Sequence, residues 1–222
     1  MQDGFFQNIY WPDIAQATLD TLLMLGCSLL LTLLLGIPLG VLLFLTDRGQ
    51  ISESPIANRL LGLFVNILRS IPFVILLIVM IPLTLLVIGT SLGVSGAIPP
   101  LVAGAAPFYA RLVETALRDV PRATIEAAQA MGATRLQIII KVLLPEALSG
   151  LLSGATITAI ALVSFTAMAG VVGAGGLGDL AIRYGYQRFQ ADVMLVTVVL
   201  LVLLVQLIQW SGDWLARRTD HR

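Results

Sequence analysis

The sequence has very few of the residues from which catalytic and metal sites are usually built. It contains one cysteine, Cys27, and one histidine, His221. A single cysteine forms neither an intrachain disulfide nor a cysteine-based metal site, and in its apolar run we expect a buried structural thiol. The single lysine, Lys141, follows isoleucines, so there is no Gly-Lys-Ser/Thr phosphate loop. We therefore expect no catalytic residue, no metal and no cofactor in this chain.

Charge is also scarce. Charged residues make up 12% of the sequence and hydrophobic residues 58%, whereas soluble domains contain about 25% charged residues. This composition predicts an integral membrane protein in contact with lipid. The formal net charge is zero, which argues against a nucleic-acid partner because such partners require a basic surface.

Five apolar blocks are long enough to cross a bilayer, which takes about 20 residues per helix. They cover approximately residues 19–45, 60–88, 98–117, 147–172 and 193–215. The predicted fold is an all-α integral membrane protein with five transmembrane helices, forming a single domain over residues 1–222. The first block is too long for a signal peptide and no basic region precedes it, so we interpret it as a retained span.

Basic residues are concentrated on one side of these predicted spans. That side carries Arg48, Arg59, Arg111, Arg118, Arg122, Arg135, Lys141, Arg217, Arg218 and Arg222. The other side has only Arg183 and Arg188, and the N-terminal segment has no basic residue. Because cytoplasmic loops are enriched in arginine and lysine, we expect the N-terminus outside and the C-terminus in the cytoplasm.

Between the third and fourth spans lies a polar, helix-prone segment. Thr124 can cap a short helix that carries Glu126 in its first turn, where a carboxylate is favourable. Gly132 ends that helix, and Thr134 can cap a second one that runs to Lys141. Pro145 and Glu146 suit the first turn of the next long helix. The segment is therefore predicted to be a helix-turn-helix elbow joined to a membrane span.

This elbow, residues 122–145, resembles the cytoplasmic loop with which ABC-importer permeases dock on their ATPase. The family pattern is Glu-Ala-Ala, three residues, glycine, nine residues and Ile-x-Leu-Pro, with Val142 here in place of isoleucine. The matching residues are Glu126, Ala127, Ala128, Gly132, Leu144 and Pro145. The resemblance implies that these residues couple the ATPase to the membrane; the alternative is an amphipathic linker without a partner.

Further motifs extend the resemblance to approximately residues 17–212. Residues 69–73 (RSIPF), 104–108 (GAAPF), 130–134 (AMGAT) and 173–186 (GAGGLGDLAIRYGY) are similar to the permease subunit of methionine importers. The resemblance implies a type I ABC importer transmembrane domain in the inner (plasma) membrane. It also implies a permease homodimer, two ATP-binding subunits that hold ATP and magnesium, and an extracytoplasmic binding protein.

The same resemblance implies ATP-driven import of an amino acid, with methionine as the first candidate, by a chain that is not itself an enzyme. Related permeases carry other amino acids or osmoprotectants, so these substrates stay open. An ion-coupled secondary carrier is a weaker alternative, because the sequence shows neither coupling-ion residues deep in a span nor an internal repeat.

The fourth predicted span is rich in small and hydroxyl-bearing residues. Such residues either let helices pack closely or line a polar path, and both interpretations remain open. Thr158, Ser164 and Met168 are the candidate path residues, with Met168 as a flexible apolar gate near a glycine-rich outer turn. That turn, residues 173–178, matches G-x-G-x-x-G but follows a predicted membrane helix, so we do not expect a dinucleotide site.

Charges in or near spans require partners. Glu114 is three residues after Arg111 and four before Arg118, so the three share a helix face and are predicted to form ion pairs. Arg69 lies inside the second predicted span. It is expected either to extend to the cytoplasmic interface or to meet a carboxylate on a neighbouring helix.

Overall fold

The computed structural model describes residues 9–219, and His221 and Arg222 lie outside that range. Within the described range all regular elements are helical. The first helices are α1 (Trp11–Thr46), α2 (Pro55–Ser70), α3 (Phe73–Val79), α4 (Ile81–Ile88) and α5 (Gly93–Arg118). They are followed by α6 (Arg122–Ala130), α7 (Arg135–Ile138), α8 (Leu144–Glu146), α9 (Leu148–Gly170), α10 (Gly176–Leu180) and α11 (Ala191–Thr219). Residues Ile139–Leu143 and Ala181–Tyr186 are π-helical.

Helices α1 and α5 form the central pair, and glycines allow their close approach. A Cβ atom on Gly40 would lie 2.5 Å from the Ala110 carbonyl oxygen and 2.5 Å from the Val113 Cβ atom. A Cβ atom on Gly36 would lie 2.7 Å from the Tyr109 ring. In a membrane there is no hydrophobic driving force between helices, so they associate through van der Waals contacts, which small residues allow by letting the backbones approach closely. The α1–α5 interface therefore depends on these two glycines.

Gly40→Ala is expected to destabilise the protein by about 1–3 kcal/mol, because the added methyl group overpacks the α1–α5 interface. Gly26 lies on the same helix, and a Cβ atom added there would have nothing within 4 Å, so Gly26→Ala is the matched control. Thermal unfolding of the detergent-solubilised protein should show a lower midpoint for Gly40→Ala only. Equal midpoints for the two variants would contradict the packing role of Gly40.

The second predicted span, residues 60–88, does not form one straight helix. It breaks after Ser70, and the axes of α2 and α3 differ by 103°. Pro72 explains the break, because it has no N–H to donate and disfavours helical geometry at Ile71. Ile71 accordingly has extended backbone angles, with φ −81° and ψ 123°. The chain then continues as two short helices, α3 and α4, which are joined at Met80.

The predicted number of spans stays a prediction. In the described residues, α1, α9 and α11 are long and apolar enough to cross a membrane, and the bent α2–α3 pair raises the number from 3 to 4. Helix α5 is the remaining candidate. It has 26 residues, a length of about 39 Å at 1.5 Å per residue, but it is less apolar than the other long helices. Its polar residue Glu114 is buried within the protein.

The expectation of a buried cysteine is wrong, since Cys27 is exposed. Helix α1 buries the face that includes Met24, Leu25 and Ser28, and Cys27 points away from it. A uniformly apolar helix gives no sequence signal for which of its faces packs against the protein.

A turn rich in glycine follows α9, as predicted. Gly173, Gly175 and Gly176 have φ angles of 87°, 80° and 84°, which side chains other than glycine rarely adopt. The turn is fixed to α1, because the Leu177 N–H donates to the Thr21 hydroxyl at 2.9 Å. The G-x-G-x-x-G sequence thus follows a helix rather than a strand, and its glycines serve a tight turn.

Candidate coupling elbow and transport path

The first helix of the elbow begins earlier than the sequence pattern predicts. Helix α6 starts at Arg122 and Pro121 is its N-cap residue, since the fixed φ of proline is compatible with entry into a helix. Thr124 therefore does not cap the helix, and Glu126 lies beyond its first turn. Both expectations are wrong, and a favourable interaction of Glu126 with the helix dipole does not apply.

Helix α6 has one buried face and one exposed face. Ile125 and Ala128 are buried at 7% and 3% exposure and pack in an apolar cluster with Val120 and Phe44. The small side chain of Ala128 lets the helix lie close to this cluster. Glu126 and Ala127, in contrast, are exposed. The Glu-Ala-Ala motif thus divides into an anchoring alanine and two residues that a partner can reach.

Gly132 makes the turn that presents α6, as predicted. Its φ angle is +79°. The Gly132 N–H donates to the Gln129 carbonyl at 2.9 Å, and the Ala133 N–H donates to the Ala128 carbonyl at 3.1 Å. Bonds of this kind close the last turn of a helix that ends at a left-handed residue. A Cβ atom at Gly132 would meet nothing within 4 Å, so only the backbone angle demands glycine.

The second elbow helix has the predicted cap but a different end. The Thr134 hydroxyl accepts the Gln137 N–H, and the Gln137 side chain accepts the Thr134 N–H at 2.8 Å, which completes a capping box. Helix α7 ends at Ile138 rather than at Lys141, because a π-helical turn follows.

The junction with α9 also differs from the prediction. Leu144 and Pro145 lie in the three-residue helix α8, and α9 begins only at Leu148. Leu144 is half-buried and Pro145 is exposed. Proline at this position suits a helix start, but the helix that it starts is short, and Ala147 separates it from the long one.

Sequence reasoning missed three large apolar residues exposed on the elbow. Met131 is 81% exposed, Leu136 65% and Ile140 55%. Met131 lies at the turn, Leu136 on α7 and Ile140 in the π-helical turn that follows. The one signal in the sequence was the presence of methionine and leucine where a solvated turn normally carries polar residues.

An ion-pair network centred on the buried carboxylate of Glu114 lies directly before the elbow. Arg111 and Arg118 each donate to Glu114 at 2.7 Å, as the spacing predicted, and Glu114 is 4% exposed. Arg118 also pairs with Asp47 at 2.8 Å. Asp47 belongs to the loop after α1, and sequence reasoning did not identify it. The network therefore ties the start of the elbow to the segment that follows α1.

The three candidate path residues, Thr158, Ser164 and Met168, differ in their exposure. Ser164 is exposed and Met168 is 43% exposed, and they share a face of α9 because they are four residues apart. Thr158 is fully buried and donates to the Gly154 carbonyl at 2.8 Å. Gly154 packs against Leu112 of α5, which is the close-packing role that small residues also allow.

A helical membrane chain with a short exposed elbow joined to one of its long helices has the fold of the membrane subunit of a type I ABC importer. The sequence profile described as "Binding-protein-dependent transport system inner membrane component" matches residues 33–221. The chain belongs to this family and is therefore an inner-membrane transport component.

Similar proteins have been described in several bacteria. The chain is 55% identical over 206 residues to a probable D-methionine transport system permease protein of Vibrio cholerae, covering 93% of this chain and 92% of the relative. It is 47% identical over 222 residues to a methionine import system permease protein of Bacillus subtilis, covering 100% of both. A solved inward-facing methionine ABC transporter has a chain with a TM-score of 0.94 and 49% identity, covering 97% of this chain and 99% of that chain.

Proposed function

We propose that this chain is the permease subunit of an ATP-driven importer that moves methionine across the inner membrane. The importer contains two copies of the permease, two ATP-binding subunits and an extracytoplasmic binding protein. ATP and magnesium are bound by the ATPase partner, and this chain performs no chemistry of its own. Support for the substrate comes from the names of relatives that match nearly the whole chain.

The observation that carries the proposal is the exposed surface of the elbow. Glu126 and Ala127 are exposed on α6, and the apolar side chains of Met131 and Leu136 are exposed on the same elbow. A surface with apolar residues and a nearby carboxylate suits insertion into a cleft on another protein, because a few well-packed anchors supply most of the binding energy at an interface. We assign residues 122–145 as the coupling elbow, with Gly132, Leu144 and Pro145 shaping it.

Motion of the ATPase reaches the membrane through rigid connections. On one side of the elbow, Arg118 and Glu114 fix the end of α5 to the loop after α1. On the other side, α8 leads into α9 with a single residue between them. When two ATPase subunits close around ATP, a displaced elbow therefore moves α5 and α9 together and opens the path to the outside.

The proposed topology has five spans, with the N-terminus outside. The spans are α1, the bent unit of α2 to α4, α5, α9 and α11. An odd number of crossings places the two ends on opposite sides, and Arg217 and Arg218 in the last turn of α11 favour the cytoplasm for the C-terminus.

A reporter that is active only in the cytoplasm should work when fused after Arg222 and fail when fused before Met1. The reason is the odd number of crossings together with the positive-inside rule. Uptake by each fusion should be measured in the same cells, so that only transport-competent proteins are scored. Activity of both the N-terminal and the C-terminal reporter on competent proteins would mean that a span was miscounted.

Uptake of labelled methionine by a strain that lacks this chain tests the substrate. Restoring the chain should restore uptake, and unlabelled methionine should compete better than other amino acids or osmoprotectants. If another amino acid competes better than methionine, that amino acid becomes the proposed substrate. Uptake that persists without ATP and follows an ion gradient would instead favour a secondary carrier.

A further inference from the structure

Arg69 is a charged residue within the membrane domain. It lies in the last turn of α2, directly before the 103° bend. Its guanidinium is 5.9 Å from the centre of the Phe108 ring, and Phe108 is near the midpoint of α5. Among the described residues no carboxylate forms an ion pair with it, so the expected acidic neighbour is absent there. Arg69 is exposed on this protomer, and an arginine in a membrane domain without such a partner is a candidate functional residue.

Arg69 lines a cavity of about 310 Å³ at the bend. Cavities that bind small molecules span about 300–1,000 Å³ and combine apolar walls with few polar groups. The aromatic walls here are Phe73, Phe108 and Phe165, and the rings of Phe73 and Phe165 stack at 4.3 Å. The cavity lining therefore combines one cationic side chain with apolar residues, three of which are aromatic.

The bend also deprives a backbone carbonyl of its helical hydrogen-bond donor. In an α-helix the carbonyl of Leu68 would accept the N–H of residue 72, but that residue is proline and has none. Leu68 lines the cavity together with Arg69. Non-helical backbone at membrane depth is tolerated where it lines a cavity in the protein, and the position of the break fits that condition.

The cavity adjoins the proposed path face of α9. Ala161 and Phe165 line it, and they share one side of the helix with Ser164 and Met168, which lie three and seven residues after Ala161. A molecule that passes Met168 and Ser164 therefore meets the rim of this cavity next.

We propose that Arg69 and the three phenylalanines form a transient site for the amino acid in transit. Arg69 binds the carboxylate, the Leu68 carbonyl is available to the ammonium group, and the aromatic rings contact the side chain. A thioether makes favourable contacts with aromatic rings, so the cavity suits methionine. The assignment rests on the proposed function and adds the subsite to it. With a single cation and no carboxylate for the ammonium among the lining residues, binding is weak enough for release.

The test uses the complete complex of permease, ATPase and binding protein in proteoliposomes, with uptake of labelled methionine and ATP hydrolysis measured on the same sample. Arg69→Gln should lower uptake by about tenfold or more, because a charge-assisted hydrogen bond to the carboxylate is lost, while ATP hydrolysis continues. Arg69→Lys keeps the positive charge and should retain most of the uptake. Arg59→Gln removes an exposed arginine in the first half of the same helix, outside the cavity, and should act like the wild type.

Uptake by Arg69→Gln within about twofold of wild type would overturn the proposal. A parallel loss of uptake and ATP hydrolysis in both Arg69→Gln and Arg69→Lys would also overturn it, because that pattern marks a structural role. The wild-type measurement separates this outcome from failure of the proposed function. If the wild type imports a different amino acid, methionine is the wrong substrate. In that case the uptake of that amino acid by Arg69→Gln, divided by its uptake by the wild type, decides the role of Arg69.

Discussion

Gly132→Leu is expected to reduce ATP-driven uptake by about 5- to 30-fold while the permease stays inserted. The φ angle of +79° at Gly132 costs a residue with a side chain about 1–2 kcal/mol, and no neighbour lies within 4 Å of an added Cβ atom. A strain of this size shifts the equilibrium of the turn by about 5- to 30-fold. Because the turn presents α6, the strain should misplace Glu126 on the ATPase and uncouple ATP hydrolysis from transport.

The control for this prediction is Gly132→Asn, since asparagine tolerates the left-handed conformation and should retain most of the uptake. Glu126→Ala removes the exposed carboxylate without touching the turn, and it should also reduce the stimulation of ATP hydrolysis by the binding protein. The measurement is uptake and ATP hydrolysis by the reconstituted complex, with membrane abundance as the reference. Normal uptake by Gly132→Leu would contradict a coupling role for the turn.

Met168→Asp should reduce transport by about tenfold or more at nearly unchanged assembly. Met168 lies near the end of α9 (Leu148–Gly170), so a charge there costs less than at the centre of a membrane helix, where the cost is about 2.5–3.5 kcal/mol. Each 1.36 kcal/mol added to a barrier slows a step by about tenfold. Met168 is 43% exposed and lies outside the buried core clusters. The added charge should therefore hinder passage of the substrate more than it destabilises the fold. Met168→Leu preserves the apolar volume and should transport within about threefold of wild type.

Accessibility of position 168 can be measured directly. Because Cys27 is exposed, it must first be replaced, for instance by Cys27→Ser. The Met168→Cys variant in that background should then react with a small external thiol reagent faster when ATP is trapped than in the nucleotide-free complex. Equal labelling in the two states would show that Met168 is a packing residue and not a gate.

The turn and the second cap of the elbow were predictable because their determinants are local. The left-handed turn at Gly132 and the capping box at Thr134 each depend on residues within a few positions of one another. The ion pairs of Glu114 follow from helical spacing in the same way. The start of α6 was misplaced because Pro121 and Thr124 are both acceptable at a helix start, and sequence alone does not rank them.

Features that depend on packing between distant segments were not predictable. The exposure of Cys27 and the burial of Thr158 are decided by which face of a uniformly apolar helix meets its neighbours, and apolar periodicity is weak in such helices. The pairing of Arg118 with Asp47 joins residues 71 positions apart (118 − 47). The bend at Pro72 had a clear local cause, but only the structure shows that Arg69 then lies beside Phe108 at the edge of a cavity.

The most direct test of the central claim is uphill transport by the purified complex. Proteoliposomes that contain the permease, its ATPase partner and the binding protein should accumulate labelled methionine above the external concentration when ATP is supplied. Accumulation should stop when ATP is replaced by a non-hydrolysable analogue, because closure without hydrolysis permits a single opening only. Accumulation without ATP, or ATP hydrolysis that never concentrates methionine in a complex of wild-type subunits, would contradict the account.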